Sequence, residues 1–276
     1  MNVGLTHEYD AQRLRGISVQ VAKEAAELAE TMRNEVVTEG AVDTKSTETD
    51  VVTAADRAVE RLIRDRLAEL RPEDPVLGEE GGGAIDQEGL RWVVDPIDGT
   101  VNYLYGHPNY AVSIAVQLNG ASLAGAVVEP RSGRAWSAAS GHGADLDGRP
   151  LEVSAARRLD LSLIGTGFNY LPERRGRQAA VLAELLSEIR DIRRGGAASL
   201  DLCAVAAGWT DGYYEHGLSR WDWAAGSLIA AEAGARTRLP AGGSTDGLGD
   251  EAVLCVTPGI ADALTRALLE RRAGTI

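Results

Sequence analysis

An apolar strand ending in a carboxylate, followed by a proline and then a second carboxylate, leaves a chain few ways to continue. Asp95-Pro96-Ile97-Asp98-Gly99-Thr100 is such a stretch, directly after Arg91-Trp92-Val93-Val94. The fixed φ of proline can turn both acids toward one point. Gly99 lets backbone approach a ligand closely, and the N–H groups of Gly99 and Thr100 can face a phosphate if a helix starts there. Two carboxylates and free N–H groups suit a metal-bridged phosphate. The same residues also fit a plainer reading, in which Asp98 caps a helix and Asp95 ends a strand in solvent.

Three further acidic positions stand in comparable settings. Glu79-Glu80 follows a short apolar run and precedes flexible glycines, as a solvated loop also would. Trp221-Asp222-Trp223-Ala224-Ala225-Gly226 sets a carboxylate at the head of a small-residue helix, where it can serve the helix dipole. Asp56 is expected in the first turn of a helix capped by Thr53 and running to about Leu70, with Val59, Leu62, Ile63 and Leu67 on one face.

An earlier helix, from about Ala11 to Val37, carries Leu14, Ile17, Val21, Ala25, Leu28, Met32 and Val36 at three- and four-residue steps. Short apolar runs at Val76, Arg91, Tyr110, Ser122 and Arg134 have strand length and turn-rich separators, which predicts a sheet rich in antiparallel neighbours. Asp147-Gly148 suits a tight hairpin turn. Beyond about residue 155 strands and helices alternate: a strand at LSLIGTGF, a helix from Arg177 to Ile189, a helix in GAASLDLCAVAAG, a strand GYYE, a helix from Trp221 to Ala233, a strand AVLCVT and a closing helix from Gly259 to Arg272. The chain therefore divides into an α+β subdomain, residues 1–155, with most of the candidate ligands, and an α/β subdomain, residues 156–276, that adds Asp222.

The 276 residues suit one large domain or two packed subdomains, and a formal charge of −13 argues against broad nucleic-acid binding. Only two lysines are present, Lys23 and Lys45, so Schiff-base and P-loop chemistry have almost nowhere to sit. Cys203 and Cys255 lie in apolar stretches as buried thiols do, and form no metal-spaced pair. His7, His107, His142 and His216 show no ligand spacing and read as surface or loop residues. The N-terminus lacks an apolar signal region and no run reaches membrane-span length, so a cytoplasmic location without membrane contact is expected.

Taken in order, Asp56, Gly78-Glu79-Glu80, Asp95-Pro96-Ile97-Asp98-Gly99-Thr100 and Trp221-Asp222-Trp223-Ala224-Ala225-Gly226 closely resemble the inositol monophosphatase family. VNYLYG, YAVSIA, GADLDGRP, SLDLCAVAAGWTDGYYE and WDWAAGSLIAAEAGA extend the resemblance over nearly the whole chain. It implies a layered α-β-α-β-α sandwich of the inositol monophosphatase and fructose-1,6-bisphosphatase type, and a magnesium-dependent, lithium-inhibited phosphomonoesterase, usually a homodimer. Carried over by position, Glu79, Asp95, Asp98, Asp222 and the carbonyl of Ile97 would hold two or three Mg²⁺ ions. Asp56, Thr100 and Glu79 would orient the attacking water. Gly99 and Thr100 N–H groups would meet the phosphate; Asp98, Ala198, Glu215 and Asp222 would contact substrate, and Glu80 would support Glu79. Oxygen-only ligands suit a hard cation, and such a cluster would repel itself without one.

The resemblance makes myo-inositol 1-phosphate the first candidate substrate. Histidinol phosphate, fructose 1,6-bisphosphate and a 3′-phosphonucleotide remain, as does a different class: a regulatory interaction protein of the transcription and ribosomal RNA machinery. Val101 and His107 depart mildly from the family pattern and bear on substrate preference, not on the ligands.

Overall fold

The computed structural model describes residues 10–39, 48–83 and 88–276, and His7 and Lys45 lie outside them. Two long helices come first, α1 (Ala11–Glu39) and α2 (Glu48–Leu70). α1 buries Leu14, Val21, Ala25 and Ala29, as its apolar spacing requires. α2 begins upstream of Thr53, so Asp56 lies inside the helix and not in its first turn. A cap residue contributes only about 1 kcal/mol, and each residue added to a formed helix gains a hydrogen bond; propagation through Thr53 prevails.

Among the described residues, seven strands form the first sheet in sequence order: β1 (Val76–Gly78), β2 (Leu90–Asp98), β3 (Ala111–Leu118), β4 (Ala121–Val128), β5 (Ala135–Ala139), β6 (Ala144–Leu146) and β7 (Arg149–Pro150). Only β1 and β2 pair in parallel; the other neighbours are antiparallel. The short helix α3 (Thr100–Tyr105) joins β2 to β3. Asp147 and Gly148, with φ of 52° and 78°, make the tight β6–β7 turn their residue types predict.

The second half runs β8 (Leu163–Thr166), α4 (Pro172–Leu185), β9 (Asp191–Arg193), α5 (Ala198–Ala206), β10 (Gly212–His216), α6 (Arg220–Glu232), β11 (Arg236–Arg238), β12 (Ala252–Val256) and α7 (Ala261–Glu270). Its sheet has the order β11-β12-β10-β8-β9, with mixed pairing. α4 starts and stops earlier than the expected Arg177–Ile189, because Pro172 supplies the pre-set φ that favours a first helical turn. β9 and β11 escaped the sequence reading: three residues each, charged, at sheet edges, they have no apolar alternation to show.

Alternate residues of each strand face different cores, which sets five layers. Trp92, Val94, Val112 and Ile114 pack with α1 and α2 residues such as Val21, Ala25 and Ile63. Val93, Ala115 and Val127 point the other way, onto Leu202, Cys203, Ala225 and Ile229 of α5 and α6, which also meet Tyr213 and Cys255 of the second sheet. Ile164, Tyr214 and Leu254 then cover Val181, Leu185 and Leu264 of α4 and α7. The architecture is the α-β-α-β-α sandwich. Both cysteines are free and buried. Among the described residues no helix is long and apolar enough to cross a membrane.

His216 corrects an expectation. It is buried on β10 with its Nε2 2.9 Å from the Leu248 carbonyl, and burial pushes its pKa down. A strand alternating Tyr214 and His216 on one face takes the imidazole into the core once a carbonyl satisfies it. His107 and His142 are exposed, as expected.

Candidate functional site

β2 enters the site through an irregularity. Asp95 pairs with Ser113 and Asp98 with Ala111, so three steps on β2 match two on β3. Side chains three apart in a regular strand point to opposite faces; Pro96, which has no N–H for the ladder, sits in the gap and the extra residue brings both acids to one side. Asp222 joins them from α6. Carboxylate oxygens of Asp95, Asp98 and Asp222 all lie within 4.8 Å of one another.

Each acid is fixed by local chemistry. Asp95 Oδ1 accepts the Ile97 N–H at 3.0 Å. Asp98 accepts the Ser199 N–H at 2.7 Å and hydroxyl at 2.5 Å, and the Ala198 N–H at 3.3 Å, all from the start of α5. Asp222 Oδ2 accepts the Ser219 N–H at 2.6 Å in a capping box at the head of α6. It therefore fills its plain structural role and a place in the cluster together.

The electrostatics are unfavourable without a counter-charge. Two like charges 4–5 Å apart repel by about 3–4 kcal/mol at an effective dielectric constant of ~20. Burial, then the neighbouring acids, holds the Asp95 and Asp222 carboxyls well above their ordinary range. Burial raises Asp98 to about 6 even though the Ser199, Ala198 and Gly99 hydrogen bonds pull it back. Glu79 is exposed overall, yet burial of its carboxyl, with the charges of Asp98, Glu80 and Glu60, raises its pKa, while Asp95 beside it works the other way.

These residues surround a cavity of about 240 Å³ lined by Glu79, Asp95, Ile97, Asp98, Gly99, Thr100, Ala198, Glu215 and Asp222 among others. Gly99, at φ 91°, opens α3, and a Cβ there would meet the Asn109 carbonyl at 3.0 Å. The Thr100 hydroxyl donates to the Ile97 carbonyl at 3.2 Å. Glu215 also lines the cavity, its pKa raised by burial to about 7 and moderated by the Tyr213 hydroxyl bonded to it. Gly167 makes room for it: a Cβ would lie 1.9 Å from Glu215 Oε2.

Asp56 is placed differently. It does not line the cavity but is buried on α2, its pKa raised to about 8 by burial and by Glu79, Glu80 and Glu60. Glu80 faces Arg57 at 3.5 Å. Sequence reasoning also passed over Ser199, which clamps Asp98, and Asp201, Arg194, Phe168 and Tyr170, which line the cavity. Nothing in a small-residue helix marks Ser199. Glu60 did leave a signal: with Asp56 it interrupts the apolar stripe Val59-Ile63-Leu67 on the buried face of α2.

An all-carboxylate donor set with several raised pKa values is the chemistry of a hard-cation site, so the residues present fit a divalent ion such as Mg²⁺. Comparison with known proteins gives the family. The model of the inositol monophosphatase family matches residues 10–274. Inositol-1-monophosphatase of Mycobacterium leprae is 51% identical, over 94% of each chain. A solved structure of Mycobacterium tuberculosis SuhB superposes with a TM-score of 0.83 at 45% identity, covering 97% of this chain and 99% of that one. A protein of Pseudomonas aeruginosa named Nus factor SuhB is 38% identical over 81% of this chain and 84% of its own.

Proposed function

Since the chain belongs to the inositol monophosphatase family and is a phosphatase, we propose that it hydrolyses a small phosphate monoester, myo-inositol 1-phosphate first, with two or three Mg²⁺ ions held by Glu79, Asp95, Asp98, Asp222 and the carbonyl of Ile97. The observation that carries this reading is the convergence of three carboxylates within 4.8 Å at the wall of a ligand-sized cavity. Bound there, the cation would offset the acids' repulsion and supply Lewis-acid stabilisation to phosphoryl oxygens.

The chain's own groups do the rest. Ser199 and the α5 N-terminus keep Asp98 aimed at the site. Thr100 and Glu79 orient the attacking water, with Asp56 acting from outside the cavity through its charge beside Glu79, and the N–H groups of Gly99 and Thr100 meet the phosphate. Glu215 and Ala198 line the wall where the hydroxyls of a polyol leaving group would bind, with Asp98 and Asp222 beside them. Thr100→Ala is expected to lower kcat about tenfold or more while changing KM less than about threefold, because it removes an interaction with the attacking water and not with bound substrate; steady-state kinetics at saturating Mg²⁺ checks this.

The reading is tested by phosphate release from inositol 1-phosphate, histidinol phosphate, fructose 1,6-bisphosphate and 3′-phosphoadenosine 5′-phosphate, with and without Mg²⁺ and with added Li⁺. Magnesium-dependent, lithium-inhibited turnover of inositol 1-phosphate is expected; preferential turnover of another member moves the substrate, and silence across the panel removes the reading. Lithium inhibition and a homodimer are what the family resemblance implies, and a cytoplasmic location is proposed with them. The 38% identity to a relative named as a Nus factor supports a second role, binding to transcription machinery; co-purification of RNA polymerase with the tagged protein would support it.

A further inference from the structure

Glu60 is a buried carboxylate that the reaction scheme above does not use. It is 2% exposed, on α2 one turn beyond Asp56. Its Oε2 accepts the Glu80 N–H at 2.8 Å, and its Oε1 accepts the Gly81 N–H at 2.9 Å and the Arg64 Nε at 2.7 Å. Arg64 in turn donates to the Gly82 carbonyl at 2.9 Å and the Val76 carbonyl at 3.3 Å. One ion pair on a rigid helix thus grips the segment around Glu79 by N–H groups after it and by carbonyls on both sides.

The glycines complete the fit. A Cβ at Gly78 would stand 2.4 Å from Glu60 Oε1, and one at Gly81 would stand 2.6 Å from the same atom and 2.7 Å from an Arg64 nitrogen. Side chains at either place would displace the carboxylate. Glu79, between them, is turned out to the cavity that the Asp95 and Asp98 carboxylates share. Burying an acid beside Asp56 and Glu79 works against stability: Glu60 is among the charges that raise the pKa of both. An apolar residue would pack at this place on the stripe without that penalty.

We propose that Glu60, braced by Arg64, is a positioning residue that holds the Gly78–Gly82 turn so that the Glu79 carboxylate is presented to the metal site. The inference rests on Glu79 being a ligand, as proposed above. The Glu60 carboxylate stays on the turn's N–H groups, so it acts through Glu79 and touches neither substrate nor cation.

The test is a double-mutant cycle read in binding. Mg²⁺ affinity is measured by titration calorimetry for the wild type, Glu60→Gln, Glu79→Gln and the double variant, with amide hydrogen exchange on the metal-free proteins. Glu60→Gln keeps shape and one acceptor oxygen but loses the ion pair; Arg64→Lys, which keeps charge and loses the fork, is the second probe of the same brace. We expect Glu60→Gln to weaken Mg²⁺ binding about tenfold and to speed exchange at Glu80 and Gly81 about tenfold, with β2 and β3 amides unchanged. In the Glu79→Gln background the same substitution should change affinity less than about twofold. Losses that simply add, or unchanged exchange at Glu80 and Gly81, would overturn the positioning role. Absence of Mg²⁺ binding in the wild type, read before any variant, would remove the metal reading on which the role depends, whereas additive losses with intact wild-type binding would remove only the role of Glu60.

Discussion

Asp95→Asn is expected to lower kcat/KM on the order of 10³-fold, about 4 kcal/mol, and yet to raise the melting temperature of the metal-free protein above pH 7. The two effects have one cause. Asp95 is 1% exposed and faces Glu79, Asp98, Asp222 and Asp56, so its charge is unfavourable in the empty site and is wanted only when a cation is there. Asparagine has nearly the same volume, its carbonyl can accept the Ile97 N–H that Asp95 accepts at 3.0 Å, and its amide carries no charge to add to those of the neighbouring acids. The fold loses nothing and sheds a buried acid. For a domain of this size each kcal/mol corresponds to about 2–4 °C, so calorimetry in a chelator resolves the gain. Near-normal turnover would remove Asp95 from the site; a lower metal-free melting temperature would mean that the carboxylate is held by favourable contacts, not strained by its neighbours.

The layered fold was readable because its helices and central strands carry their periods openly: Leu14 to Val36 on α1, and the apolar runs of β2 to β5. What stayed hidden has short-range signals that tertiary context overrides. Thr53 has the type of a cap but lies inside α2, and His216 looks like a loop residue until Leu248 supplies a carbonyl. For the site, the sequence offers the acids but not how they meet. The bulge at Pro96 is implicit in the proline, since a missing N–H must fall where the ladder can spare it. The clamp of Ser199 on Asp98 joins residues a hundred positions apart and has no local signature. Glu60 belongs between these cases: its place on a buried face is visible, its grip on the Glu79 turn is not.

Thermal stability should depend on pH and metal together, with a sign set by the raised acids. Carboxyls in an unfolded chain titrate near 4; in the folded, metal-free protein Asp98 titrates at about 6, Glu215 at about 7, and Asp56 and Asp201 at about 8, each raised first by burial. Between those limits the native state binds more protons than the unfolded one, so stability is greatest on the acid side and falls as pH rises through 6, 7 and 8. Groups shifted the other way, such as Asp246 at about 2 through its Arg238 contact, contribute stability that is present above pH 4 and is lost only below it. The metal-free melting temperature should therefore peak near pH 4 and decline by several degrees toward pH 8.5. Mg²⁺ binds the deprotonated acids of the native state, so its stabilisation should grow over the same interval, small at pH 5.5 and largest near pH 8.5. Calorimetry in chelator and in millimolar Mg²⁺ across that range checks both slopes. A metal-free melting temperature that climbs steadily to pH 8.5 would mean that the acids are already neutralised within the protein, leaving a cation no charge to relieve.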